Sequence, residues 1–279
     1  MKIFCWNMNY WQNTKGNPHD IIDWKNKCIE FFKEEPNIDF YILQEINLLK
    51  LFEKNSNQYE FSMTDYNILY HELTNELLFD GRKDNFWGNA ILFHKNYKFE
   101  KNNIDTNDLY EVNKYYYGRS SIMCYDFILQ NKEKITIINF YNKINYANKG
   151  RYTMVDDFGN DKDIKNILEN VKNRIIMAGD FNTGFGEKDK EEYDKFIEQY
   201  KNKYNLENCI QNYSNKFIPT YYHAKAHHIS TFGYVNDFCF SSKFNDVTII
   251  NQKDEWENIG GIKLWRGLSD HRPFIVELK

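Results

Sequence analysis

The sequence predicts a mixed α/β fold in which mixed β-sheets are covered by helices. Three observations point there. Apolar runs of strand length recur along the chain, separated by stretches of helical spacing. Two neighbouring runs, Ser121 to Leu129 and Lys134 to Tyr141, are joined by the polar turn Gln130 to Glu133 and read as an antiparallel pair. Other strands are connected through helices, so parallel and antiparallel neighbours belong to the same sheets. No Pro/Gly/Ser-rich linker, low-complexity tract or short-period repeat interrupts the chain, and residues 1–279 are read as a single domain.

Taken in order, Lys2 to Trp6 is a β-rich start that delivers Asn7. A polar loop follows from Asn9 to Pro18. Asp20 to Glu35 reads as a helix, because Ile21, Trp24, Cys28 and Phe32 recur at helical spacing and Pro36 ends it. Asp39 to Leu43 is the next strand and delivers Gln44 and Glu45. After a variable region, Gly88-Asn89 opens a strand over Ala90 to Phe93. Asp161 to Lys172 is a short helix with Ile164, Ile167, Leu168 and Val171 on one face. Ile175 to Ala178 is a buried strand stopping at Gly179. Glu191 to Tyr204 is a helix with Tyr193, Phe196, Ile197 and Tyr200 in phase. Val235 to Ser241, Asp246 to Ile250 and Pro273 to Leu278 close the chain as strands.

Composition narrows the chemistry. Hydrophobic residues at 42% supply a sizeable core. A net charge of −4 excludes a global positive field for nucleic acid, although a metal site can still attract a polyanion locally. The five cysteines are scattered, odd in number and without a Cys-x-x-Cys pair, which argues for buried thiols in a reducing compartment. The N-terminus lacks the charged-then-apolar layout of a signal peptide, and no apolar run reaches bilayer-spanning length. A cytoplasmic protein, monomeric by default, is the expectation. His223, His227 and His228 lack a Cys or acidic partner at zinc-site spacing.

The strand ends carry the informative chemistry. Asn7, Glu45, Asp180 with Asn182, and Asp237 each stand at such an end, and Ser269-Asp270-His271 precedes the last strand. Alternate residues of an extended segment face the same way, so Asp180 and Asn182 share a face. Carboxylates and carboxamides gathered like this are the oxygen ligands of a hard divalent cation such as magnesium, with manganese as a substitute. A histidine beside a carboxylate suits protonation or polarisation of a phosphate oxygen. Arg119, Lys143, Lys149, Arg151 and Arg266 flank these motifs and together would make a local positive rim. Trp265-Arg266 would pair a stacking ring with a phosphate contact, with a core place for Trp265 as the equal alternative.

The ordered set Trp-Asn, Leu-Gln-Glu, Gly-Asn, Gly-Asp-Phe-Asn, Asn-Asp-Phe and Ser-Asp-His resembles the endonuclease/exonuclease/phosphatase superfamily of the DNase I-like fold, from Asn7 to Pro273. The resemblance implies a four-layer α/β/β/α sandwich with the site at one edge. It implies Glu45 as the main metal ligand, with Asn7 and Asp270 helping. Asp180 would handle the attacking water, Asn182 would hold that water or a phosphate oxygen, and His271 would contact the phosphate while Asp237 orients it. Tyr141 falls at the family's His/Tyr position, and a slipped frame would put Asn139 or Asn142 there instead. Asn89 matches the Gly-Asn that supports a strand beside the site.

The implied activity is magnesium-dependent hydrolysis of phosphodiester bonds, with nucleic acid as the leading substrate. A small-molecule or lipid-headgroup phosphatase, and a non-catalytic binding module, are the alternatives. Gly179-Asp180-Phe181-Asn182 lacks the flanking Trp and Arg usual in inositol polyphosphate phosphatases, and Trp6-Asn7-Met8-Asn9-Tyr10-Trp11 keeps only the start of the motif usual in abasic-site endonucleases.

Overall fold

The computed structural model describes residues 1–8, 21–34, 37–47, 53–55, 58–60, 65–73, 87–100, 121–141, 167–210, 212, 217–222, 233–242, 247–250, 255–259 and 262–279. In chain order its elements begin with β1 (Lys2–Asn7), α1 (Ile21–Glu34), β2 (Phe40–Asn47), β3 (Glu53–Asn55), β4 (Gln58–Glu60), β5 (Tyr66–Leu73), β6 (Trp87–His94), β7 (Lys98–Glu100), β8 (Ser121–Ile128) and β9 (Lys134–Tyr141). They continue with β10 (Arg174–Phe185), α2 (Lys190–Tyr204), β11 (Glu207–Asn208), β12 (Tyr221–Tyr222), β13 (Gly233–Ser241), β14 (Val247–Ile250), β15 (Trp256–Ile259), β16 (Ile262–Trp265) and β17 (Phe274–Leu278).

Two mixed sheets form the body of the fold. One runs β14-β17-β1-β2-β6-β5, and the other β11-β13-β10-β9-β8-β7 with β12 against β13. Each contains one parallel pair, β1–β2 or β9–β10, flanked by antiparallel neighbours. The α/β/β/α layering follows from strands that are apolar on both faces. Ile3 and Cys5 of β1, Phe40 and Ile42 of β2, Ile135 and Ile137 of β9, and Ile176 and Ala178 of β10 fill the space between the sheets. Their alternates on the first sheet, Phe4, Trp6, Tyr41 and Leu43, pack under Cys28, Ile29, Phe31 and Phe32 of α1. On the second sheet, Ile138, Phe140, Met177 and Phe181 pack under Tyr193, Phe196 and Tyr200 of α2. Full burial of each large side chain contributes roughly 1.5–3 kcal/mol.

Most predicted boundaries agree to within a residue or two. α2 ends at Asn205, which adopts a left-handed cap (φ 53°) that satisfies the last carbonyls. Ile197 is only partly buried, so the buried face of α2 is narrower than its periodicity suggests. Helical residues 167–170 match the predicted helix over its C-terminal half, and Ile164 lies outside the described residues. The largest difference is β10. It continues through Gly179 to Phe185 instead of stopping at the glycine. Gly179 has φ +149°, and a Cβ there would lie 1.8 Å from the carbonyl oxygen of Phe140. The missing side chain therefore lets β9 and β10 stay paired beside it, as the register Gly179 opposite Phe140 and Asp180 opposite Tyr141 requires.

The two parallel pairs aim their C-terminal ends at the same edge of the sandwich. The inward alternation of each strand turns polar there: Ile3, Cys5, then Asn7; Phe40, Ile42, then Gln44; Ile176, Ala178, then Asp180. The candidate site is thus the polar end of the layer between the sheets.

Candidate active site

Two backbone irregularities shape this edge. The β2–β6 register shifts between Leu43 and Ile46, and Glu45 within the bulge has φ +48°. The β10–β13 register shifts between Asp180 and Phe185, where Asn182 has φ +49°. Bulges re-aim side chains and cluster beside active sites. A left-handed non-glycine residue costs on the order of 1–3 kcal/mol, which surrounding contacts must offset. Around Glu45, its N–H donates to Asn89 Oδ1 at 3.3 Å. Around Asn182, the N–H donates to Asp180 Oδ1 at 2.8 Å, and Gly184 N–H donates to Asn236 Oδ1 at 2.9 Å. Phe181 between the two site residues points the other way, into the α2-side core.

The side chains converge. Asn7 Nδ2 donates to Glu45 Oε1 at 3.0 Å and to Asp180 Oδ2 at 2.8 Å, joining one carboxylate from each sheet. Asn182 Nδ2 donates to the same Asp180 Oδ2 at 3.1 Å. The Tyr141 hydroxyl hydrogen-bonds the Glu45 carboxylate. Asp237 stands opposite Asp180 in register, and its Oδ2 lies 2.9 Å from His271 Nδ1. His271 Nε2 faces Asp180 Oδ2 at 3.9 Å and Asp270 Oδ1 at 4.0 Å. Asp180, Asp237, Asp270 and His271 are buried, and Glu45 is partly accessible.

The segment carrying His271 is tied to β1. Ser269 Oγ donates to the Asn7 carbonyl at 2.7 Å and accepts the His271 N–H at 3.1 Å, while Trp6 Nε1 donates to the His271 carbonyl at 2.9 Å. β12 braces the other side. Thr220 Oγ1 accepts the N–H groups of Asn236 and Asp237 at 2.9 and 3.0 Å, and the Tyr221 ring lies 4.7 Å from the imidazole. Pro219-Thr220-Tyr221-Tyr222 reads in sequence only as strand and loop, and nothing local signals its packing on His271.

Electrostatics follow from enclosure. Burial pushes the Asp180 carboxyl well above its usual range, and the negative charges of Asp237 and Glu45 add to the rise against the opposing pull of His271. Burial also raises Glu45, against the lowering effects of Asn7, His271 and Tyr141. For His271, burial alone would lower the imidazole, yet the Asp237, Asp180 and Asp270 carboxylates outweigh it and hold its pKa at about 10. Asp237 Oδ1 is buried without a hydrogen-bond partner among the described residues. Carboxyls this crowded, with Asp180 and Glu45 both resisting ionisation, suit a nearby cation that offsets their charge. Asp180, Asp237 and His271 offer ligand-capable atoms within 4.8 Å of one another.

Several sequence expectations are corrected. Trp265 is not a stacking platform: it is 1% exposed and packs 4.9 Å from Phe31 and 6.0 Å from Trp6. Arg266 is not a free phosphate contact. It pairs with Glu34 at 2.6 Å and with Glu255, and its guanidinium lies over the Phe31 and Trp265 rings. The pair looked site-directed because it abuts the Ser-Asp-His motif, whereas its real partners lie on α1 and beside β15. Asn89 is fully buried and accepts the Glu45 N–H beside the site. Asn139 is likewise buried and does not take the place considered for Tyr141. Arg119, Arg151, Lys143, Lys149, Asn142, His223, His227 and His228 lie outside the described residues. The five cysteines are free and buried, as expected.

This architecture is the DNase I-like endonuclease/exonuclease/phosphatase fold, as the sequence resemblance implied. Truncated TDP2 from Caenorhabditis elegans is similar over 99% of this chain and 96% of its own, at 16% identity and a TM-score of 0.59. An endonuclease/exonuclease/phosphatase family protein from Leptotrichia buccalis is similar over 100% and 99%, at 17% identity and a TM-score of 0.58. The catalytic domain of Xenopus laevis APE2 is similar over 100% and 92%, at 15% identity and a TM-score of 0.57. No protein-family model and no curated protein matches the sequence.

Proposed function

We propose that this protein is a divalent-metal-dependent phosphodiesterase, of nuclease type, that hydrolyses nucleic-acid phosphodiester bonds by in-line attack of water. One observation carries the reading: a single amide, Asn7 Nδ2, links Glu45 to Asp180 within a cluster that also holds the His271–Asp237 pair. That cluster joins a cation-seeking group to a proton-transfer pair.

Glu45, with Asn7 and Asp270, would hold magnesium, or manganese in its place. The alternative locus, Asp180–Asp237–His271, is less suited to the metal. One of its three ligand atoms would be an imidazole nitrogen, and hard cations prefer oxygen. When bound, the metal supplies neutralisation of charge on the phosphate and the leaving oxygen.

The chain's own groups supply the rest. Asp180 takes the proton of the attacking water, a task suited to a carboxyl whose affinity for protons is raised by burial. Asn182, hydrogen-bonded to Asp180, orients that water. His271 donates from Nε2 to a phosphate oxygen, while Asp237 holds Nδ1. The Tyr141 hydroxyl fixes the Glu45 carboxylate.

The test compares supercoiled DNA, single-stranded RNA and inositol phosphates, each with magnesium, manganese or EDTA. Nucleic-acid cleavage that EDTA abolishes, and that falls about 100-fold or more in Glu45→Gln and His271→Ala, is the expected result. Phosphate release from inositol phosphates without nicking would replace the nuclease reading with the phosphatase one. Equal inertness of wild type and His271→Ala on all substrates would defeat the enzyme reading.

A further inference from the structure

The bulge that turns Glu45 interrupts the β2–β6 ladder between Leu43 and Ile46. An interrupted ladder leaves buried backbone groups in need of other partners. Two side-chain amides bond to backbone groups at this break. Asn89, on β6 itself, accepts the Glu45 N–H. Asn139 comes from β9, in the opposite sheet. Its Nδ2 donates to the carbonyl oxygens of Leu43 and Ala90, at 3.0 Å each. Its Oδ1 accepts Gln44 Nε2 at 2.8 Å, which fixes the orientation of both amides. Asn139, Gln44 and Asn89 are all fully buried. Leu43 and Ala90 are the last regularly paired residues before the bulge. This polar bridge therefore sits where the ladder breaks, at the polar end of the layer between the sheets.

We infer that Asn139 is a positioning residue for Glu45: reaching across the sandwich, it stabilises the bulge that aims the Glu45 carboxylate at Asn7. The second sheet thereby sets the backbone of the first at the residue assigned to the metal. Asn139 touches none of the reacting groups and acts only through β2. An apolar residue at position 139 would leave the Leu43 and Ala90 carbonyls buried without these donors, and a regular ladder would return Glu45 to extended backbone. The metal consequence rests on the reading of Glu45 proposed above, whereas the backbone consequence does not.

The experiment compares Asn139→Leu and the gentler Asn139→Ser with Thr136→Val. Thr136 is a buried polar residue of the same strand whose Oγ1 bonds Asp126 instead, at 2.6 Å. Amide hydrogen exchange is followed in the segment 43–47, and Mn2+ affinity is measured by titration. Exchange at Glu45 and Ile46 should accelerate about tenfold or more in the Asn139 variants but not in Thr136→Val. Mn2+ affinity should fall with it. If exchange at Glu45 and Ile46 in Asn139→Ser matches that in Thr136→Val at equal global stability, the positioning role is overturned. If wild type binds no Mn2+ while the exchange difference persists, the metal reading fails and the positioning role stands.

Discussion

At the scale of single residues, His271 has the clearest behaviour to test. Asp237 is the first of the carboxylates that lift its imidazole to about 10 against the effect of burial. In metal-free protein the ring should be protonated at pH 7, and Asp237→Asn should move its titration downward, as NMR of the imidazole protons would report. A midpoint that does not move would mean that Asp237 is not what holds the proton. The sign for stability follows from the raised value. Folding favours the charged imidazole, so its contribution is complete below about pH 6.5, shrinks as pH rises, and is gone above about 10. The stability gap between wild type and His271→Gln, measured by urea unfolding without metal, should narrow from pH 7 to pH 10. Asp180→Asn keeps the shape of the site and removes the proton acceptor. It should cost about 100-fold or more in turnover.

At the scale of elements, β10 carries the sharpest expectations. Gly179→Ala would place a Cβ against the Phe140 carbonyl and force β9 from β10 beside Tyr141 and Asp180. We expect a destabilisation of at least about 2–3 kcal/mol with a large loss of activity. A folded, active Gly179→Ala protein would contradict the close strand approach. Phe181 packs 4.6 Å from Phe140 and 5.3 Å from Phe238, so Phe181→Ala should cost about 3–5 kcal/mol by denaturant unfolding. Sequence legibility divides along the same lines. Strands with apolar residues on both faces, such as β1 and β9, announce themselves by composition. β5, with Tyr66-Asn67-Ile68-Leu69-Tyr70-His71, lies in a stretch with no such run. Gly179 looked like a stop because a glycine that ends a strand and one that admits a neighbour's carbonyl are identical in sequence. Asn7, Glu45, Asp180, Asn182, Asp237, Asp270 and His271 were legible because their motifs are local. The bulges, the Asn139 bridge and the brace from Thr220 and Tyr221 were not, since each depends on contacts between distant segments.

At the scale of the whole molecule, a cation bound only by the folded state must raise stability by mass action. Magnesium at about 100 times its dissociation constant would add roughly 2.7 kcal/mol. The increase in unfolding temperature should vanish in Glu45→Gln, and a rise that persisted there would move the metal elsewhere. Among the described residues no helix is long and apolar enough to cross a membrane. The placement of the site has a mechanical corollary. Glu45 hangs from one leaf of the sandwich and Asp180 from the other, with Asn7 as the clasp between them. Each leaf can keep its own hydrogen-bonded ladder while the two drift in alignment, because ladders run within a leaf and, polar links such as those of Asn7 and Asn139 apart, the filling between leaves is apolar and has little directional preference. Catalysis would then report alignment of the leaves, while far-ultraviolet dichroism reports only their survival. In mild denaturant, activity should fade before secondary structure does, making the reaction itself a vernier for sub-ångström slippage between two otherwise intact halves.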